Sequence, residues 1–390
     1  MKVKNKLVEI ISRASFLIIL LILFAGLVKT VLLPEDINVY ENRYANKISP
    51  ISLNSYLDGS FQNSMDEALS DQVPFSTTAK KAYNAFDITC AKPIISALGK
   101  DRSCYVWFNG SKFFGDNILY QCYDFSTVEL PFKERAENLN NVFAANPELN
   151  FYLYYIEKDT DIDFLSGEKP DLFQYLRKSI ELPDERIGKF EINSFDEFEE
   201  YFYKTDHHWN YRGSYKAYTE LASMLGFEPL KPVDERTFSA HFYGSKSFGC
   251  ERIVNEELTA YNFDFPEMDI SINGKPAEDY GTLKECFQNG VSGLTNYGII
   301  YGGDCGCVEF DTHNGDDNLL ILGESYDNAI LKLIAAHFNK TYGVDLRYYA
   351  HDMGESFDFD KFIREHDIDT VLLIGNVDYY LMKDFMVENY

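Results

Sequence analysis

Positive charge, tryptophan, histidine and paired cysteine motifs are all scarce in this chain of 390 residues. Its 36 lysines and arginines face 62 aspartates and glutamates, a formal net charge of −26. Phosphate recognition needs a basic face, so nucleic acid is excluded as a partner, and adsorption to anionic lipid is disfavoured. The seven cysteines are an odd number and include no C-x2-C pair, which leaves no zinc-finger-type site. Cys305 and Cys307 stand too close together to bridge each other easily, and no disulfide connectivity follows from the spacing. No internal repeat or low-complexity tract is present. What is abundant is apolar and aromatic: 45% and 16% of the chain, with 28 Tyr and 31 Phe, the composition of a folded protein. Tyrosine-rich surfaces suit carbohydrate work, although most of these rings belong in a core of this size.

The N-terminus is built as a targeting segment. Lys2, Lys4, Lys6 and Arg13 precede an apolar run from Ala14 to Val28, followed by Lys29-Thr30. Positive charge stays on the cytoplasmic side, which places the remainder of the chain outside. A cleaved signal peptide competes with this reading. Small residues at −3 and −1 are missing, however: Leu23 and Phe24 occupy the −3 position for Ala25 and Gly26. No cysteine forms a lipobox, and an uncleaved single-pass anchor is expected over residues 1–33.

Residues 34–98 are expected to form a linker with a turn at Pro50, followed by helical segments that break at Asp71–Phe75, where Pro74 opens the second one. Ser103 to Gly115 has two aromatic runs around Asn109-Gly110, a hairpin signal. Residues 99–390 then read as one α/β domain. Helical pattern covers 131–146, 169–180, 194–204 and about 210–225. Buried strands are expected at Asn150–Ile156, Leu319–Gly323, Val344–Ala350 and Thr370–Gly375, with helices at Asp327–Asn339 and Phe359–Glu365. Such alternation implies a mostly parallel sheet flanked by helices. Residues 237–315 differ, with many short β-like pieces and glycines, and are expected to form a β-rich insertion.

Two places carry chemistry. Asp206-His207-His208-Trp209 gathers rare residues into four positions of a chain with seven His and two Trp. Adjacent histidines diverge, and metal pairs on a helix sit at i, i+4, so zinc is disfavoured. Asp-x-His suits an orienting carboxylate and a base on one loop. The second place is a strand of aliphatics ending in Gly323-Glu324-Ser325 before a helix. Ligands of open α/β sheets bind beyond the carboxyl ends of strands. Amides at a helix start can hold an oxyanion, although serine there is often only a cap. Combined, Asp206, His208 and Ser325 make a triad, on the condition that Ser325 Oγ lies within about 5 Å of a His208 nitrogen.

These residues resemble the DHHW family of exported bacterial proteins, which is similar to the SGNH-hydrolase-like domain of alginate O-acetyltransferases. Three blocks carry the resemblance, within residues 41–378. They are Glu41-Asn42-Arg43 with Asp71-Gln72-Val73-Pro74; Lys204-Thr205-Asp206-His207-His208-Trp209 with Gly213; and Leu322-Gly323-Glu324-Ser325-Tyr326 leading to Asp345-Leu346-Arg347-Tyr348. The resemblance implies an SGNH-like (flavodoxin-like) fold and an acyl-enzyme mechanism with Ser325, His208 and Asp206. It also implies O-acetylation of a cell-surface or secreted polysaccharide, with an acyl donor and a membrane acyl-transfer partner. No cofactor is implied. Glu324 departs from the family's pattern, which has Asp there. Asn376, after the last strand, is a candidate second oxyanion donor, and Tyr326 and Arg347 are either substrate contacts or structural. A carbohydrate O-acetyl esterase and a non-catalytic glycan-binding protein of the same fold stay open as alternatives.

Overall fold

The structure, a computed structural model, describes residues 2–38, 43–72, 75–97, 104–106, 112–114, 117–120, 122–164, 167, 169–248, 254, 256–290 and 296–381. Glu41-Asn42, Pro74, the Asn109-Gly110 turn and Cys250 lie outside these residues. The chain divides into two compact units: Met1–Ala97 makes up most of the first, and Leu98–Val291 with Thr295–Tyr390 forms the second.

In the first unit, α1 (Lys2–Leu32) contains a stretch, Val8–Leu32, that is long and apolar enough to cross a membrane. Further helices follow, among them Ser60–Gln72 and Ser76–Ala97. The segment expected as a plain linker is tied to the first of them. Asp71 accepts from Asn38 Nδ2 (2.6 Å) and from the Asn46 amide (2.8 Å), and Gln72 Oε1 accepts from the Glu35 amide (2.7 Å). A buried carboxylate needs such partners, and here they fix the chain that leaves α1.

The second unit is organised by an eight-stranded sheet. Its strands, with one separate pair, are β1 (Asn150–Ile156), β2 (Ile187–Phe190), β3 (Asp234–Phe242), β4 (Glu256–Asn262), β5 (Asp269–Ile272), β6 (Lys275–Ala277), β7 (Cys307–Asp311), β8 (Asn318–Leu322), β9 (Lys340–Val344) and β10 (Thr370–Asn376). The order is β6-β5-β7-β9-β8-β10-β1-β2, parallel from β9 to β2 and antiparallel through β7, β5 and β6. The β-rich stretch at 237–315 thus gives three strands to the main sheet, while β3 and β4 pair with each other.

Strand β8 shows why the centre reads as a continuous apolar run. Its five residues are all buried: Leu319 and Ile321 pack into one core with Trp209 and Tyr218, and Leu320 and Leu322 into the other with Phe132 and Tyr380. A strand covered on both faces alternates sides without alternating polarity.

Helices on the two faces include α2 (Phe125–Ala145), α3 (Phe195–Tyr201), α4 (Tyr211–Leu225), α5 (Asn328–Ala335), α6 (Leu346–Met353) and α7 (Phe359–Glu365). Two sequence expectations are corrected. Helix α2 begins at Phe125 rather than 131, because Asp124 caps it by accepting from the Ser126 amide, and Pro131 lies inside it. Val344–Ala350 is not a strand: Lys340–Val344 pairs with β8, then Asp345 accepts from the Arg347 amide and starts α6. Because β1, β8, β9 and β10 are parallel, they deliver Lys158, Ser325, Asp345 and Asn376 to one edge of the sheet.

Candidate active site

The Asp206–His208 loop is the tip of a closed turn between α3 and α4. Phe202 and Trp209 form an antiparallel bridge, and the Asn210 amide donates to the Tyr201 carbonyl at 2.8 Å. Asn210 then caps α4, with Oδ1 accepting from the Arg212 and Gly213 amides. A Cβ on Gly213 would fall 2.2 Å from the Tyr201 carbonyl oxygen, so only glycine allows the turn to close this tightly. From β4, the Glu256 carboxylate accepts from the amides of Lys204 (2.9 Å) and Thr205 (2.7 Å) and anchors the tip.

Within the tip, Asp206 Oδ1 accepts from His208 Nδ1 (2.6 Å) and from the His208 amide (3.1 Å), and Oδ2 accepts from the Ser245 amide (2.8 Å). Burial pushes the Asp206 carboxyl up, but the two histidines and these hydrogen bonds outweigh it and hold the group well below the usual carboxylate range. With Nδ1–H directed at Asp206, His208 Nε2 is the free acceptor, and it lies 2.8 Å from Ser325 Oγ. The imidazole stacks on Tyr297, with centroids 3.9 Å apart and an interplanar angle of 6°, which fixes its plane. Tyr297 is itself held, its hydroxyl 3.3 Å from Trp209 Nε1 and donating to the Tyr326 carbonyl at 3.1 Å.

His207 faces elsewhere. Its Nδ1 lies 2.7 Å from Ser245 Oγ, and burial together with the neighbouring His208 lowers its pKa to about 3, so it is neutral at physiological pH. Ligand-capable atoms of Asp206, His207 and His208 all lie within 4.8 Å of one another. The Asp206–His208 pair, however, directs its donor atoms at each other and at Ser325.

Ser325 stands in the turn between β8 and α5, partly open, where Glu324 beside it is buried. A Cβ on Gly323 would meet Asp327 Oδ2 at 2.0 Å, so the turn requires glycine at that point. Glu324 Oε1 accepts from Asn376 Nδ2 at 2.8 Å, and Oε2 lies 3.3 Å from Ser325 Oγ. Burial raises the Glu324 carboxyl to about 7, with Lys158 and Arg347 pulling it part of the way back. Ser325 has one hydroxyl proton, and the shorter contact to His208 takes it. The contact with Glu324 is a hydrogen bond at the same time only when Glu324 is protonated and donates.

Among the other residues singled out from sequence, Asn376 reaches the serine through Glu324, and its Oδ1 accepts from the Asp378 amide at 2.7 Å. Tyr326 is buried, edge-on to Trp209, with its hydroxyl donating to the His207 carbonyl. Arg347 bonds Asp345 through Nε (2.9 and 3.0 Å) and Asp304 through Nη2 (3.2 Å). Sequence reasoning missed Tyr297, Ser245 and Lys158. Lys158 is buried with its ammonium 3.0 Å from Asp378 Oδ2 and over the Tyr326 ring. None of the three sits in a recognisable motif. The one signal available was the run Glu157-Lys158-Asp159-Thr160-Asp161, polar residues placed directly after the apolar and aromatic run Phe151–Ile156.

Ser325, His208 and Asp206 thus form a hydrogen-bonded line at the carboxyl edge of a mixed α/β sheet. Residues 174–344 match the family described as DHHW protein. In overall fold the chain is similar to Bacillus cereus PatB1 with a sulfonyl adduct, at 17% identity over 73% of this chain and 100% of that one, TM-score 0.55. It is likewise similar to a DHHW family protein from Eubacterium siraeum DSM 15702, at 17% identity over 72% of this chain and 94% of that one, TM-score 0.52. At these identities the likeness establishes a shared fold. No curated protein matches the chain in sequence.

Proposed function

We propose that the chain is an exported, membrane-anchored serine O-acyltransferase acting on a cell-surface or secreted glycan. The observation that carries this reading is the unbroken line Asp206–His208–Ser325, with hydrogen bonds of 2.6 and 2.8 Å. Ser325 Oγ attacks the carbonyl carbon of an acyl ester while His208 Nε2 takes its proton. The oxyanion forms against the Ser325 backbone amide. Collapse breaks the ester C–O bond, and the donor alcohol leaves with the proton from His208. A glycan hydroxyl then attacks the acyl-serine and gives its proton to His208, which returns it to Ser325 Oγ as the acyl–Oγ bond breaks and the glycan carries away the acyl group. Asp206 stays ionised throughout and stabilises the imidazolium. Water in place of the glycan hydroxyl would make the same site an esterase. Helix α1 fits a signal anchor, with Lys2, Lys4 and Lys6 on the cytoplasmic side and the second unit outside. A membrane acyl-transfer partner is the natural source of the donor.

PatB1 with its sulfonyl adduct suggests the probe. The full-length protein in detergent should be sulfonylated at Ser325 by a sulfonyl fluoride, and should move acetyl from a chromogenic ester to an added oligosaccharide. Ser325→Ala should abolish both. Turnover that survives in Ser325→Ala would defeat the proposal, and acetate release without oligosaccharide acetylation would assign the site to an esterase.

A further inference from the structure

A cavity of about 830 Å³ lies in the second unit, outside the hydrogen-bonded line just described. Two of its walls are the first turns of α4 (Tyr211, Ser214, Tyr215) and α5 (Asn328, Ala329, Lys332). These two helices start immediately after the two halves of the site, α4 after His208-Trp209 and α5 after Ser325. A third element joins cavity and site. On the short helix Tyr297–Tyr301, Tyr297 stacks on His208 while Tyr301 lines the cavity.

The lining has two characters. One wall is a run of touching rings: Tyr211 against Tyr261 at 4.7 Å, Tyr261 against Tyr215 at 5.7 Å, Tyr215 against Phe263 at 5.9 Å, and Phe263 against Phe265 at 5.9 Å. The rest mixes apolar side chains, among them Met268, Ile270 and Leu283, with five carboxylates against two lysines. Asp279 is paired with Lys332, and Asp269 with His313, whereas Asp264, Glu267 and Glu278 stand exposed at the rim. The Tyr301 hydroxyl is buried beside that of Tyr203. Flat rings beside carboxylates match a pyranose, whose C–H face is apolar and whose hydroxyls are donors. The acidic rim repels uronates and phosphates.

We infer that this cavity is the acceptor subsite, and that it takes a neutral or amino-bearing oligosaccharide in preference to an acidic one. The inference rests on the acyl-transfer reading for its role, but binding and chemistry are separable. Titrations of the full-length Ser325→Ala protein in nanodiscs should show binding of N-acetylglucosamine tetramer and glucosamine tetramer, and little or none of tetragalacturonate. Tyr261→Ala should weaken the neutral tetramer about tenfold, the loss of one stacked ring. Because that variant removes packed area, the exposed double variant Asp264→Lys/Glu267→Lys is the stronger test, and it should shift preference toward tetragalacturonate. The inference is overturned if neither the neutral nor the amino tetramer binds, if tetragalacturonate binds the parent as well as they do, or if the double variant leaves the preference unchanged. Sulfonylation of Ser325 in the parent protein reports on the acyl-transfer reading alone, so failure of either idea is visible without the other.

Discussion

Two buried carboxylates flank the hydrogen bond between Ser325 and His208, and their surroundings drive them in opposite directions. Asp206, beyond the imidazole, receives three hydrogen bonds from N–H groups of His208 and Ser245, and is held well below the usual carboxylate range. Glu324, beside the serine, receives one amide from Asn376, and burial raises it to about 7. Burial is the largest influence on both. Interaction with the two histidines and the N–H donors outweighs burial at Asp206, whereas Lys158 and Arg347 only partly offset it at Glu324. Paired groups with environments this different commonly divide roles, one fixed as a charge and one poised to gain or lose a proton.

If Asp206 is the fixed charge, Asp206→Asn should give the largest loss. Turnover should fall roughly 10³- to 10⁴-fold while the fold is kept, because the amide favours the wrong imidazole tautomer. Steady-state kinetics on a chromogenic ester measures it, and a loss below tenfold would remove Asp206 from that role. Gly244→Ala tests the same side by geometry. The added Cβ would fall 2.4 Å from Asp206 Cβ and 2.6 Å from its backbone nitrogen, so the loop tip must shift. A displacement of about 1 Å should cost on the order of 10²-fold in turnover.

On the Glu324 side the effect is smaller and pH-dependent. Its folded pKa is raised from 4.5 to about 7, so the stability it contributes is complete below pH 4.5 and lost as pH rises through about 7. Glu324→Gln cannot ionise. Relative to the parent, its thermal midpoint should therefore rise across that window. Parallel midpoint curves would show that Glu324 ionises in the folded protein as it does in the unfolded one. The smallest change belongs to His207→Gln. His207 is already neutral and turned toward Ser245. Turnover within about threefold of the parent is expected, since one side-chain hydrogen bond is worth about 1 kcal/mol or less here. A loss as large as that of a His208 variant would abolish the distinction between the paired histidines.

Much of the frame was legible in the sequence because it is encoded locally. The aliphatic run before Gly323 marks a strand buried on both faces. Asn210 and Gly226 bracket α4 as cap and left-handed terminator. Boundaries failed where one residue of capping chemistry overrode pattern, as Asp124 did for α2 and Asp345 did between β9 and α6. Asn376 illustrates a different limit. Its position after the last strand was readable, but that its amide faces Glu324 depends on β8 and β10 being neighbours in the sheet.

By itself, the sequence determined the chemistry available and its local presentation: Asp206 two residues before His208, Gly323 two before Ser325, each followed by a helix. Caps and hydrophobic periodicity act over a few residues, and a sequence displays them directly. Only the tertiary structure decided that Tyr297 sets the plane of His208, and that Glu324 and Asp206 end up in unlike surroundings. Those outcomes follow from parallel strand order and from the depth at which each group is desolvated, and both are properties of the assembled sheet rather than of any segment.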